Sequence, residues 1–107
     1  MTLWQQLTDV QREQLVHAII PAIAVSDVPE HLRPGLVRYF SDGILPGSFL
    51  QAVLVNDLMQ AARRADPESG AGLVPLVDFL VTHAPSTAWG SREAVLAWTT
   101  TPERLEV

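Results

Sequence analysis

Apolar residues at helical spacing divide the first part of the chain into short helices. Thr8 begins a capping box, and the apolar residues after it recur every three or four positions. This pattern predicts a first helix over about residues 9–23. Pro21 lies inside that stretch, and proline removes a backbone hydrogen bond and clashes with the preceding turn. We therefore expect the helix to end or kink near residues 19–20.

Two more helices are predicted in the middle of the chain. An apolar-periodic stretch over about residues 34–42 begins at a proline and is closed by Gly43, which is typical of a C-terminal cap. Pro46 is expected at the first position of the next helix. The run Phe49–Ala65 contains no glycine or proline, so it predicts one long central helix.

Caps and helices alternate through the last third of the chain. Asp66 stands before a proline and is expected to cap a short turn. A helix follows over Leu73–His83, and Ser91 can cap a last helix over Arg92–Trp98. Residues 99–107 carry no helical signal, and we expect them to form a flexible tail.

These segments predict an all-α fold, a small orthogonal bundle of four to five short helices in one domain over residues 1–107. With 48% hydrophobic and 18% charged residues, the chain can bury a core. The longest apolar stretch is interrupted by His17 and Pro21, so no membrane span is predicted. No secretion signal is recognisable, and the expected location is the cytoplasm.

Residue types that are missing exclude several kinds of chemistry. There is no cysteine, which excludes disulfides and thiolate metal sites, and all seven basic residues are arginine, which excludes a Walker-type lysine. The histidines and serines match no zinc or hydrolase motif, so neither a metal nor a cofactor is predicted. A net charge of −5 disfavours nonspecific nucleic-acid binding. The high apolar content predicts a homo-oligomer.

A polar pair on the predicted central helix is the first candidate site. Asn56 and Asp57 share helix faces with apolar neighbours, and burying such groups without partners is costly. Asp57 can therefore pair with Arg38 or Arg64, or cap the amides of another helix. The alternative is that Asn56 and Asp57 bind a ligand.

Two weaker signals point to an anionic or aromatic ligand. Pro46 and Gly47 lead into a helix start, where free amides can accept a phosphate, although turn chemistry alone explains them. Tyr39 and Trp89 can stack on a ring, and Arg38 can hold a phosphate with two hydrogen bonds. In a small bundle the same aromatic residues also serve as core anchors.

A pattern of glycine, proline, aromatic and aspartate positions extends over about residues 38–98. It consists of Arg38-Tyr39, Gly43, Pro46-Gly47, Phe49-Leu50, Ala52-Val53-Leu54, Asn56-Asp57-Leu58, Ala65-Asp66, Trp89-Gly90-Ser91 and Trp98. The pattern resembles a family of short uncharacterised proteins of bacteriophages, prophages and plasmids. That resemblance implies a stoichiometric, non-catalytic binding role, for example blocking a host defence complex or sequestering its nucleotide signal.

Two versions of this hypothesis predict different surfaces. Sequestration of a nucleotide-type ligand predicts that six residues converge on one pocket, namely Tyr39, Pro46, Gly47, Asn56, Asp57 and Trp89. Blocking of a host protein predicts an exposed acidic or apolar patch instead. The alternatives are an enzyme that processes a small phosphate-containing molecule through Asp57 and nearby arginines, and a helical adaptor or regulatory protein.

Overall fold

The computed structural model describes all 107 residues, and every regular element in it is helical. The α-helices are α1 (Leu3–Gln6), α2 (Asp9–Ala24), α3 (Arg33–Asp42), α4 (Ser48–Leu54), α5 (Leu58–Arg64), α6 (Pro67–Ala71), α7 (Leu73–His83) and α8 (Arg92–Trp98). Short 3-10 turns over Glu30–Leu32 and Pro102–Arg104 precede α3 and follow α8. The all-α prediction is confirmed, but the number of helices is eight, more than the four to five predicted.

Local capping signals account for several helix ends. The Thr8 side chain accepts a hydrogen bond from the backbone N–H of Gln11, whose own side chain accepts one from the N–H of Thr8. Gly43 ends α3 in the left-handed conformation, with a φ of 71°. The Ser91 hydroxyl oxygen lies 3.0 Å from the amide nitrogen of Ala94 and caps α8. The predicted bounds of α7 and α8 are confirmed.

Helix α2 does not end at its proline. It continues past Pro21 to Ala24, so the end expected near residues 19–20 is wrong. Because Pro21 lies in the last turn, its missing N–H costs the helix a single hydrogen bond. Ile19 and Ile23, four positions apart on one face, are both buried in the core, and their packing stabilises that last turn.

The predicted central helix is broken into α4 and α5. Asn56 adopts a left-handed conformation with a φ of 65°, and its N–H bonds to the carbonyl of Val53 at 3.0 Å. The next N–H, that of Asp57, bonds to the carbonyl of Ala52 at 2.9 Å, which completes a Schellman motif. The Asp57 carboxylate then accepts the N–H of Gln60 at 3.0 Å and caps α5. The prediction of one continuous helix is therefore wrong.

The C-terminal segment 99–107, expected from the sequence to form a flexible tail, lies against the rest of the molecule. The hydroxyl of Thr99, which is fully buried, donates to the carbonyl of Gly43 at 2.7 Å. Farther along, the N–H of Glu106 donates to the side-chain oxygen of Gln51 at 2.7 Å. These partners lie 55 and 56 positions away in sequence, so no local signal predicts them.

Twenty buried apolar residues form one hydrophobic cluster at the centre of the helices. Its largest fully buried members are Tyr39, Phe40 and Phe79. The Tyr39 and Phe40 rings meet edge to face with centroids 5.2 Å apart, and Trp98 packs on the other side of Tyr39. None of the helices combines the length and the apolar character that a bilayer crossing requires.

Substitutions at Asp57 separate its capping role from its charge. We expect Asp57→Ala to lower the free energy of unfolding by about 1 kcal/mol, because the first turn of α5 loses its cap. Asp57→Asn keeps a good capping side chain and should change stability little. Urea denaturation of the two variants measures the difference, and equal losses in both would contradict the capping role.

Candidate functional site

Tyr39, predicted to bind a ligand, lies inside the core. Its hydroxyl donates to the carbonyl of Ala88 at 2.5 Å, and its own carbonyl accepts the indole N–H of Trp98 at 3.0 Å. Burial raises the pKa of the Tyr39 phenol, which stays protonated as a hydrogen-bond donor. In this structure Tyr39 links α3 to α8 and to the loop before α8.

Trp89 packs at the edge of the same core. Its ring is partly buried against the hydrophobic cluster, and its indole N–H is buried without a hydrogen-bond partner. The neighbouring Gly90 N–H donates to the carbonyl of Leu54 at 2.7 Å, which fixes this loop against the end of α4. Trp89 is therefore on the α4 and α8 side of the molecule.

Three of the predicted residues do lie together. Arg38, Pro46 and Gly47 line a groove of about 640 Å³ between α3, the start of α4 and the C-terminal segment. Gly47 is the N-cap of α4, and Pro46 precedes it, so the prediction of Pro46 at the first helical position is wrong. The Pro46 carbonyl instead accepts the side-chain amide of Gln51 at 2.8 Å.

Asn56 and Asp57 line a different and much smaller cavity of about 80 Å³, beside Leu58 and Val77. Asp57 caps α5 and makes no ion pair with Arg38 or Arg64. The interpretation that Asp57 caps the amides of a helix is thus confirmed. The seven predicted site residues are spread over the core, the groove, this small cavity and the loop before α8.

A polar cluster that the sequence did not reveal connects the turn before α3 to α6. The Nε2 atom of His31 lies 2.9 Å from the hydroxyl of Ser69, and its Nδ1 atom lies 3.8 Å from a carboxylate oxygen of Glu68. Asp66 accepts the N–H of Ser69 at 2.7 Å, and this hydrogen bond is the main cause of its lowered pKa.

This hydroxyl, imidazole and carboxylate arrangement has the order of a hydrolase triad but not its accessibility. Ser69 is only 3% exposed, so its hydroxyl cannot approach a substrate carbonyl. His31 and Ser69 are 38 positions apart, which is why spacing along the chain gave no signal. Their contact joins α6 to the turn before α3.

Helix α7 carries apolar residues on both of its sides. Leu76, Phe79 and Leu80 are buried in the core. On the opposite side, Val74 and Val81 are 79% and 67% exposed, and Val77 between them is 40% exposed. We call these three valines, together with the exposed Leu58 of α5, the valine face. Because apolar residues lie on both sides of α7, the sequence pattern alone does not tell which of the two sides faces out.

Carboxylates border the valine face on both flanks. On one flank, Leu58 and Val77 line the small cavity that also holds Asp57. On the other, Val74 lines a groove of about 460 Å³ together with Asp27 and Asp78. Neither cavity is lined by an arginine, and His83 is the one basic side chain beside them. The valine face is therefore apolar in the middle and acidic at its border.

Comparison of the chain with protein families, with curated proteins and with solved structures gives no match. The resemblance to a family of mobile-element proteins accordingly stays a prediction.

A conservative change at Tyr39 tests its structural role. We expect Tyr39→Phe to lower the free energy of unfolding by about 1 to 3 kcal/mol, because the buried carbonyl of Ala88 loses its donor. Thermal or chemical unfolding measures this loss. Unchanged stability in the variant would contradict this structural role.

Proposed function

We propose that this protein is a non-catalytic binding protein that acts stoichiometrically by contacting another protein through the valine face. The observation that carries the proposal is the second apolar side of α7, where Val74, Val77 and Val81 are exposed. A surface helix typically turns one apolar stripe to the core and polar residues to solvent, and the outward valines depart from this pattern. A partner that covers this side would complete the burial.

The spacing along α7 suits a helical partner. The three valines are separated by three and then four positions, which is the a and d spacing of a coiled-coil seam. Leu58 widens the seam at one edge. Removing this apolar area from water on binding contributes roughly 25 cal/mol per Å² before the costs of association.

The border charges favour a basic partner. Asp27, Asp57 and Asp78 flank the valine face, and none of them forms an ion pair within the chain. A partner with arginine or lysine around an apolar strip would pair with these carboxylates, which speeds association and fixes orientation more than it adds affinity. Binding should therefore weaken as the salt concentration rises.

A second copy of the chain fits this face less well. In a two-fold dimer centred on Val77, the neighbouring Asp78 of each copy would lie close to the axis, and the two carboxylates would repel. The homo-oligomer predicted from the apolar composition stays a prediction, which the size measurement below tests.

The biological setting of the proposal comes from the family resemblance. A small acidic protein of a mobile element can act as an anti-defence protein by occupying a basic surface of a host complex, such as one that normally receives nucleic acid. The version in which a nucleotide signal is sequestered in one pocket is less favoured, because its six residues do not share a cavity. An enzyme or an adaptor has no specific geometric support here.

The exposed valines provide a matched pair of test variants. Val74→Lys places a positive charge on the valine face, whereas Val10→Lys places one on α2, away from it. Val10 is 63% exposed and, like Val74, is the second residue of its helix, so the local cost to the helix is similar. Partner capture from host lysate, followed by binding of the purified partner, compares the two variants with the wild type.

We expect Val74→Lys to weaken binding of the captured partner by about tenfold or more, because apolar contact is lost and a basic partner is repelled. Val10→Lys should bind like the wild type. Equal binding by both variants would contradict the proposal. Sedimentation of the free protein as a dimer that Val74→Lys dissociates would also contradict it, because a second copy would then cover the valine face.

A further inference from the structure

A second cavity, on a different part of the molecule from the valine face, gathers positive side chains. It has a volume of about 330 Å³ and lies between the turn before α3, the helix α3 itself, the start of α4 and the turn before α6. Its polar lining comes from six side chains, those of His31, Arg38, Ser48, Arg64, Asp66 and Ser69. We call it the arginine cavity.

One positive charge in the arginine cavity has no counter-charge within the chain. Arg64 pairs with Glu106 at 3.6 Å, and the ring nitrogens of His31 lie 3.9 Å from Asp66 and 3.8 Å from Glu68. Arg38 is the remaining cationic side chain of the lining. In a chain with a net charge of −5, an unpaired arginine in a cavity is a place where an anion is attracted.

Arg38 is the arginine of this cavity whose side chain still lacks a partner. Four of the seven arginines have partners within the chain, namely Arg12, Arg33, Arg64 and Arg92. The side chain of Arg38 has neither an ion pair nor a hydrogen bond, although it lies between two cavities and lines both. Its planar guanidinium is free to bind two oxygens of one anion at once.

We infer that the arginine cavity binds a small phosphate monoester. The guanidinium of Arg38 matches the geometry of phosphate oxygens, and the Ser48 hydroxyl and the exposed guanidinium of Arg64 can supply further donors. The volume is near the lower end of the range of about 300 to 1,000 Å³ for small-molecule sites, which suits a phosphate with a short organic group.

The test is an NMR titration of ¹⁵N-labelled protein with glycerol 3-phosphate at constant ionic strength, with glycerol as the uncharged control. We expect saturable shifts of amides around His31, Arg38 and Arg64, and none with glycerol. Arg38→Gln should weaken binding by about tenfold or more, because a charge-assisted bidentate contact is lost. Arg63→Gln is the matched control, since Arg63 is exposed, has no partner and lies outside the arginine cavity.

The absence of saturable shifts with glycerol 3-phosphate would overturn the inference. Equal weakening by Arg38→Gln and Arg63→Gln would also overturn it, because the effect would then reflect net charge alone. Circular dichroism should show that both variants keep the fold, because neither arginine side chain has a partner within the chain. The result is independent of the valine face, so failure here leaves the proposed protein contact standing, and Val74→Lys should bind glycerol 3-phosphate normally.

Discussion

The arrangement of the helices depends on the hydrogen bonds that the carbonyl oxygen of Gly43 accepts. This oxygen accepts the hydroxyl of Thr99 and the N–H of Thr100, each at 2.7 Å, and so holds the C-terminal segment to the end of α3. A Cβ atom at Gly43 would lie 3.0 Å from the Thr100 side chain and 3.2 Å from the Trp4 ring. Because the backbone there is also left-handed, glycine fits this junction far better than any other residue. Trp4 donates to the carbonyl of Ser41 at 3.0 Å, which brings α1 to the same place.

Helix α7 is already held on its inner side, where Leu76, Phe79 and Leu80 are buried in the core. Its outer valines are exposed, so the valine face is not needed for the packing of that helix. The molecule therefore has an apolar face with an acidic border and, elsewhere, a small cavity lined by Arg38, whose side chain has no partner within the chain.

The sequence predicts this fold best where the determining interactions are local. The helix ends at Gly43 and Ser91 were predicted correctly, because the backbone groups that these caps bond lie within four or five residues. The break at Asn56 was missed because asparagine also occurs inside helices, although it can take the left-handed conformation that ends one. The contact between His31 and Ser69 joins residues 38 positions apart. For the candidate site, periodicity placed Asn56 and Asp57 near an edge of the core but could not show which helix face stays uncovered.

The valine face is proposed as the binding surface for a basic, apolar partner. Methyl NMR of the wild-type protein can test this with a synthetic amphipathic helix that carries leucine at its a and d positions and lysine beside them. We expect the methyl signals of Val74, Val77 and Val81 to shift on titration while that of Val10 does not, and a glutamate-flanked version of the helix to have no effect. Unshifted methyl signals in α7, or equal shifts with the acidic helix, would contradict it.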